Sequence, residues 1–135
     1  MGCSNSGLGS NQKWHIGTTV RAILLTDTDI VKQVGGHIYP IVAAENTDGD
    51  LIVYTRVKYT KSSVKMGVYQ DVCQVAVTAV ADNYDNSMNL ACAIDNALTG
   101  QHILSDGTKL RITLLDGSET FEDNKYLQTL LFNIE

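Results

Sequence analysis

The most constraining stretch of this chain is an alternating run that leads directly into a helical pattern. In YQDVCQVAVTAVA, Tyr69 to Ala81, alternate positions from the fifth residue onward carry small or β-branched apolar side chains. This is the two-residue period of a strand that packs one face against a core. Asp82 or Asn83 is placed to cap a helix from Tyr84 to Leu98, which Gly100 ends. The small side chains predict that this helix packs closely on the strand before it.

The helix from Tyr84 to Leu98 carries two apolar stripes. The main stripe consists of Leu90, Ala91, Ile94, Ala97 and Leu98. A second stripe follows the opposite side at i, i+4 and i+8, and consists of Tyr84, Met88 and Cys92. Helices with two apolar sides are often buried on both. We therefore expect the second stripe to be covered by the first helix or by another subunit.

The remaining pattern predicts an α+β fold. A helical stripe to Leu25 precedes a short capped helix that Gly35 and Gly36 end, and HIYPIVA then reads as a short strand at an edge. Two closing strands are expected at Lys109 to Leu115 and Tyr126 to Ile134, joined by the turn-rich segment DGSETFEDN. The predicted order is ααβββαββ, with helices on one face of a mainly antiparallel β-sheet that contains a long hairpin.

The first strand of that hairpin is predicted at Leu51 to Tyr59, where residue types alternate. One face carries Leu51, Val53, Val57 and Tyr59, and the other carries Tyr54, Arg56 and Lys58. This period is expected of a strand covered on one face.

Length and composition set the domain organisation and the function classes. The chain has 135 residues, 44% of them hydrophobic, which predicts a single folded domain at residues 14–135. Residues 1–13 are rich in Gly, Ser and Asn and are expected to form a flexible N-terminal arm. The net charge of −5 argues against a dedicated nucleic-acid binder and against electrostatic attachment to an anionic membrane.

Catalytic and metal-binding patterns are missing from the sequence. The histidines lie far apart, so they predict no metal site, and the cysteines show no C-x-x-C spacing. Cys73 falls on the apolar face of a strand, where a thiol acts as a small hydrophobic side chain. We expect no enzyme, no catalytic residue and no cofactor.

Charges of the two signs gather in separate segments. Arg56, Lys58, Lys61 and Lys65 lie in one hairpin, and no acidic residue occurs between Leu51 and Gln70. The C-terminal stretch carries Asp116, Glu119, Glu122 and Asp123. Two interpretations are open: a solvated hairpin whose lysines prevent edge pairing with other chains, or a docking surface for an acidic partner. In the second case, the basic hairpin of one copy meets the acidic loop of its neighbour in a ring.

Two consecutive segments resemble a known family. GGHIYPIVAAENTDGDLIVYTRVKY and VYQDVCQVAVTAVADNYDNSMNLACAIDNALTG are similar to the tail-completion or tail-terminator (head–tail joining, minor tail) proteins of tailed bacteriophages and prophages. The resemblance covers roughly residues 23–101. It implies a structural protein of the virion tail or neck that is assembled in the bacterial host cytoplasm. It further implies a homo-oligomeric ring, with six copies suggested, that ends tail-tube growth and contacts the tail-tube and neck (connector) proteins. DNA would pass through only as cargo, and no membrane is involved.

Two other functions remain open from the residues. The hairpin at residues 56–65 would suit a small non-catalytic binding module that captures an acidic protein or nucleic acid. The opening MGCSNS fits the N-myristoylation pattern at Gly2, which would make the chain a lipid-anchored adaptor. In a phage protein made in a bacterium this match is expected to be chance, because no myristoyltransferase is present.

Overall fold

Three helices and six strands make up the described part of the chain. The computed structural model describes residues 15–41, 49–63, 69–104 and 107–135, except for the side chains of residues 58–63 and 69–72. The helices are α1 (Ile16–Thr26), α2 (Thr28–Val34) and α3 (Tyr84–Leu98). The strands are β1 (Ile38–Pro40), β2 (Leu51–Ser63), β3 (Tyr69–Ala81), β4 (Gly100–Ile103), β5 (Lys109–Glu122) and β6 (Lys125–Ile134).

The six strands of these ranges form one sheet in the order β1-β2-β3-β6-β5-β4. Neighbouring strands are antiparallel except β1 and β2, which are parallel. The helices cover one face, with α3 against β3 and β6 and α1 against β2. The prediction of an α+β fold, with helices on one face of a mainly antiparallel sheet that contains a long hairpin, is confirmed.

The core lies between α3 and the two central strands. The alternate residues of β3 that the sequence marks as apolar are all at 0% exposure, namely Cys73, Val75, Val77, Ala79 and Ala81. From the helix, Leu90, Ile94 and Leu98 are also at 0% exposure. Burying each of these large side chains contributes about 1.5–3 kcal/mol relative to leaving it in water. The predicted packing of the helix on the strand therefore contributes strongly to stability.

The short helix α2 begins and ends as its residues predict. The side chain of Asp27 accepts hydrogen bonds from the backbone N–H groups of Asp29 and Ile30 at 3.0 and 3.1 Å. Such caps contribute about 0.5–2 kcal/mol. Gly35 has a φ of 67°, a left-handed conformation that glycine adopts without a steric penalty. Its N–H bonds to the carbonyl of Val31 and closes the helix.

The predicted order ααβββαββ is wrong by one strand. Residues 100–103 form β4, which pairs with Lys109–Ile112 of β5, so the observed order is ααβββαβββ. The segment is short and its burial alternates weakly, with Ile103 at 72% exposure. A four-residue edge strand of this kind produces too little apolar alternation to be recognised from the pattern.

The prediction of a turn-rich loop at DGSETFEDN is also wrong. Strand β5 continues to Glu122, and the turn to β6 consists of Asp123 and Asn124, with φ values of 50° and 61°. Two consecutive positive-φ residues are typical of the tightest β-hairpin turns, and Asp and Asn tolerate this conformation. A β-bulge between Leu114 and Asp116 precedes the polar part of the strand.

The face of strand β2 that packs against the helices is not the face that its apolar residues predict. Ile52 and Tyr54 are buried at 0% and 9% exposure, whereas Val57 is 52% exposed. Helix α1 packs on Tyr54, which places the even-numbered side chains against the core. A bulge between Arg56 and Lys58 then leaves Val57 out of the pairing register. Of the four residues predicted to share the apolar face, Leu51 is buried and Val53 half-buried.

Both outer strands are short and leave part of the sheet edge uncovered. β1 pairs only with Ile52–Tyr54 of β2, and Pro40 is its last residue. This agrees with the predicted edge position of the strand that contains the proline. β4 covers only the beginning of β5, at Lys109–Ile112. The covered parts therefore lie at diagonally opposite corners of the sheet.

The predicted arm at residues 1–13 lies outside the described residues, so the division from residues 14–135 stays a prediction. Within the described ranges, no helix has the length and apolar character needed to cross a membrane.

The contact between α1 and β2 makes a testable prediction at Gly17. A Cβ atom at this position would lie 2.8 Å from Cε2 of the buried Tyr54 ring. Overpacking costs about 1–3 kcal/mol, whereas alanine gains roughly 1 kcal/mol over glycine inside a helix. We expect Gly17→Ala to lower the free energy of unfolding by about 1 kcal/mol in urea denaturation. In a Tyr54→Leu background the same change should become neutral or stabilising.

Gly36→Ala is the matched control, because a Cβ atom there meets nothing within 4 Å. Its effect should stay within about 0.5 kcal/mol. A Gly17→Ala variant more stable than the parent chain would contradict the close packing described here.

Candidate subunit interface

Three aromatic rings form an exposed cluster where the first turn of α3 meets the β5–β6 hairpin. The ring centroids of Tyr84 and Tyr126 are 5.7 Å apart with an interplanar angle of 64°. Those of Phe121 and Tyr126 are 4.8 Å apart at 53°. Phe121 is 55% exposed and Tyr84 is 40% exposed. Contiguous exposed apolar surface of this kind is typical of a binding site.

Local structure on both sides places these rings. The Asn83 side chain accepts a hydrogen bond from the backbone N–H of Asn86 at 3.2 Å and so begins α3. The tight hairpin turn sets Phe121 directly across from Tyr126 in the antiparallel register. Directly opposed side chains of an antiparallel pair lie on the same sheet face, which is here the helix side.

Glu119 provides the negative charge beside the rings. Its Oε2 atom accepts hydrogen bonds from the Tyr84 hydroxyl at 2.8 Å and from Nε2 of Gln128 at 3.0 Å. These bonds, first from Gln128 and then from Tyr84, hold the pKa of Glu119 below its ordinary value. The hydrogen bond to Glu119, followed by its negative charge, raises the pKa of Tyr84. Glu119 is therefore a carboxylate at neutral pH, and its Oε1 atom has no hydrogen-bond donor among the described residues.

The rings and the carboxylate enclose a cleft of about 230 Å³. Its lining residues are Tyr84, Glu119, Thr120, Phe121, Tyr126 and Gln128. We call this the aromatic cleft. A groove of about 450 Å³ continues from it between α3 and strands β5 and β6, past Cys92 and Asp95.

Two residues of the second stripe of α3 line these depressions, Tyr84 in the aromatic cleft and Cys92 in the groove. Met88 is 40% exposed and Cys92 is exposed. The first helix does not cover the stripe in this chain, so the other expected covering, by another subunit, stays a prediction.

The remaining acidic candidates lie near the cleft without lining it. Glu122 is the last residue of β5, paired across the strands with Lys125, and Asp123 is in the hairpin turn. The Lys125 ammonium forms an ion pair with Asp82. The predicted acidic loop is thus the exposed end of a hairpin.

Of the basic candidates, Lys58 and Lys61 lie on the backbone of β2 toward the end of the sheet opposite the β5–β6 turn. Strand β2 runs antiparallel to β3, β3 to β6 and β6 to β5, so the β2–β3 and β5–β6 turns lie at opposite ends of the sheet. From Tyr59↔Cys73 to Ser63↔Tyr69, the described backbone of this hairpin pairs only with itself. We call residues 58–63 and 69–73 the ribbon.

The structure describes the four basic candidates of this region to different extents. Arg56 is exposed at the base of the ribbon and makes an interaction within the structure. Lys58 and Lys61 lie on the ribbon backbone, and Lys65 lies outside the described residues. In the described backbone, the strand register places Lys58 and Lys61 toward the end of the sheet opposite Glu119.

The described residues contain no cluster of three or more His, Cys, Asp or Glu side chains suited to a metal ion. His102 is half-buried, with Nε2 2.7 Å from the carbonyl of Leu98, as expected of an ordinary polar histidine. Cys73 is buried, as predicted from its strand face.

Four residues that line the cleft were missed by sequence reasoning: Thr120, Phe121, Tyr126 as a site residue, and Gln128. The available signal was the pair Asp123–Asn124, a two-residue combination that favours positive φ, between TFE and KYLQ. It was masked by the polar run at residues 116–120, which resembles a loop.

Comparison with known proteins shows that this chain is similar in fold to a solved structure. No protein-family model matches the sequence, and a search of curated proteins finds no match. Among solved structures, a chain in the virion of the native gene transfer agent (GTA) particle has a similar fold, with a TM-score of 0.69. The match covers 88% of this chain and 92% of that chain at 18% sequence identity. At this level of identity, the similarity shows the fold alone.

The hydrogen bonds of Glu119 predict the titration of its neighbours. Glu119→Ala removes both the acceptor and the negative charge that favour the protonated Tyr84, so the pKa of Tyr84 should fall toward its ordinary value. Gln128→Ala removes a donor to the carboxylate, so the pKa of Glu119 should rise. Both are measured by NMR titration of labelled side chains, with Tyr84→Phe to assign the signal. An unchanged Tyr84 pKa in Glu119→Ala would contradict the bond.

Proposed function

We propose that this chain is a structural component of a phage-like virion, specifically a tail-completion (tail-terminator or neck) protein that acts as a ring. The ring ends growth of the tail tube and joins the tail to the head. In this proposal the chain acts through contacts between subunits and performs no catalysis. Its partners are further copies of itself and the tail-tube and neck proteins, and DNA passes through as cargo.

The fold similarity to the virion chain is the observation that carries this proposal. It extends over nearly the whole of both chains, with 88% and 92% covered. The sequence resemblance to tail-completion proteins, at roughly residues 23–101, points to the same kind of particle. Fold alone does not define function, so surface features must support the proposal as well.

The surface favours assembly. Tyr84, Phe121 and Tyr126 form an exposed aromatic cluster, and Met88 and Cys92 of α3 are exposed as well. The ribbon, with its lysines, projects from the other end. Two different contact surfaces on one protomer generate a head-to-tail interface, which closes into a ring when the rotation between copies allows it.

The proposal predicts the mass of the protein in solution. Light scattering after size-exclusion chromatography, across concentration and salt, should give a discrete multiple of the 14.7 kDa chain, with six copies suggested by the resemblance. Purified tail tubes should promote assembly if the free protein is monomeric. A protein that stays monomeric at every concentration, with and without tubes, would contradict the ring.

The particle itself provides the test of the role in the tail. Cells that produce the particle without this chain should accumulate tubes of irregular length and heads without tails, as seen by electron microscopy. Restoring the intact chain should restore joined particles. Normal particles in its absence would contradict the tail-completion role.

The ribbon supports one other candidate, a small binding module for an acidic partner. In that case the protein would remain monomeric or dimeric and its affinity would fall steeply with salt. The mass measurement across salt concentrations separates the two functions.

A further inference from the structure

The aromatic cleft has the chemistry of a receptor for a cationic side chain. Its walls are the rings of Tyr84, Phe121 and Tyr126, and its charged group is the Glu119 carboxylate. Aromatic faces attract ammonium and guanidinium groups, most strongly where water is partly excluded. The carboxylate adds a charge-assisted hydrogen bond.

Glu119 is held ready to accept such a group. Tyr84 and Gln128 both donate to Oε2, which fixes the orientation of the carboxylate. Among the described residues no donor binds Oε1, and none of the described basic side chains lines the cleft. The nearest described ammonium group on the hairpin, that of Lys125, forms an ion pair with Asp82 instead. The cation must therefore come from outside this part of the chain.

The ribbon is the matching basic element of the same protein. Residues 56–73 contain Arg56, Lys58, Lys61 and Lys65 against one acidic residue, Asp71, which lies across from Lys61. Residues 113–124 contain Asp116, Glu119, Glu122 and Asp123 and no basic residue. The two segments thus have opposite charge, which favours encounter between copies.

The ribbon also needs a partner. Its five described pairs beyond the sheet extend roughly 15 Å without a third strand. A two-stranded hairpin alone in water is at best marginally stable. A surface that receives the ribbon would stabilise it.

We propose that the aromatic cleft of one copy binds the ribbon of the next copy, with Lys58 or Lys61 entering the cleft and its ammonium donating to Glu119. This inference rests on the ring proposed above and names the contact that closes it. The described ribbon and the cleft lie at opposite ends of the sheet and on different hairpins, so the ribbon does not reach the cleft of its own chain. Each copy gives one ribbon and receives another.

The test uses two full-length variants that each lose one side of the contact. Glu119→Lys with Phe121→Ala removes the cleft and keeps the ribbon. Lys58→Glu with Lys61→Glu removes the charge of the ribbon and keeps the cleft. Each variant alone should be monomeric, or should need at least about tenfold higher concentration to assemble. Mixed at equal amounts, they should form a 1:1 dimer that grows no further, because only one intact cleft and one intact ribbon remain.

Matched controls separate the contact from general charge effects and from misfolding. Glu122→Lys makes the same charge change on the same strand outside the cleft and should still assemble. Lys61→Glu faces Asp71 across the ribbon, so Lys58→Gln with Lys61→Gln serves as the second ribbon variant. Glu119→Gln with Phe121→Ala serves as the second cleft variant. Thermal unfolding identifies variants that fail to fold.

The outcomes distinguish this inference from the proposed function. A parent ring that persists in both cleft variants, or variants that do not combine when mixed, would overturn the contact and leave the ring standing. A parent chain that never associates, together with no 1:1 species in the mixture, would overturn both. Capture of another virion protein in the cleft, with ring assembly unchanged by the cleft variants, would also overturn the contact between copies.

Discussion

The close packing of α3 on the small-residue face of β3 is the interaction on which the rest of the structure depends. Cys73, Val75, Val77, Ala79 and Ala81 are all fully buried there. Ala79 and Ala81 have no atoms beyond Cβ, so the start of the helix approaches the strand at the end where the β5–β6 hairpin turns. Larger residues at these positions would move the helix away from the sheet, at a cost of about 1–3 kcal/mol.

This packing also determines the geometry of the aromatic cleft. One wall belongs to the first turn of α3 and the other to β5 and β6, which pair along the length of the hairpin. Both walls belong to a helix and to paired strands that are anchored in the same core, and the tight turn at Asp123 and Asn124 sets the register of the strands. The surface is therefore formed before any partner arrives, which reduces the ordering cost of binding.

The sequence predicted those elements whose side chains alternate or repeat strongly. Strand β3, helix α3 with its Asn83 cap, the capped α2 and the edge position of Pro40 follow from local chemistry and were predicted correctly. The covered face of β2 was not predicted correctly, because Tyr54 carries a polar hydroxyl. The packing of α1 on the Tyr54 ring determines which face is buried. The length of β5 was missed because Asp116, Gly117 and Ser118 have the composition of a loop, and pairing with β6 overrides their low strand propensity.

The residues of the candidate site were also predicted only where the sequence shows a strong pattern. Periodicity identified Tyr84, Met88 and Cys92 as an unpaired stripe, and charge identified Glu119. Phe121 and Tyr126 join them only through the register of a hairpin, which depends on the conformation of a two-residue turn. A contact between residues on two paired strands can be predicted only after the register of the strands is known.

The placement of β1 and β4 at diagonally opposite corners affects how copies can meet. Two copies side by side at the same height would bring the uncovered part of β5, from Leu114 to Glu122, against the part of β2 that β1 already covers. Direct backbone pairing of these two segments between level neighbours is therefore obstructed by β1. Copies that lie side by side would then contact each other through side chains. Such contacts break and re-form more readily than the backbone hydrogen bonds of a shared sheet. The proposed ring, if held by side-chain contacts of this kind, would remain correctable while it assembles.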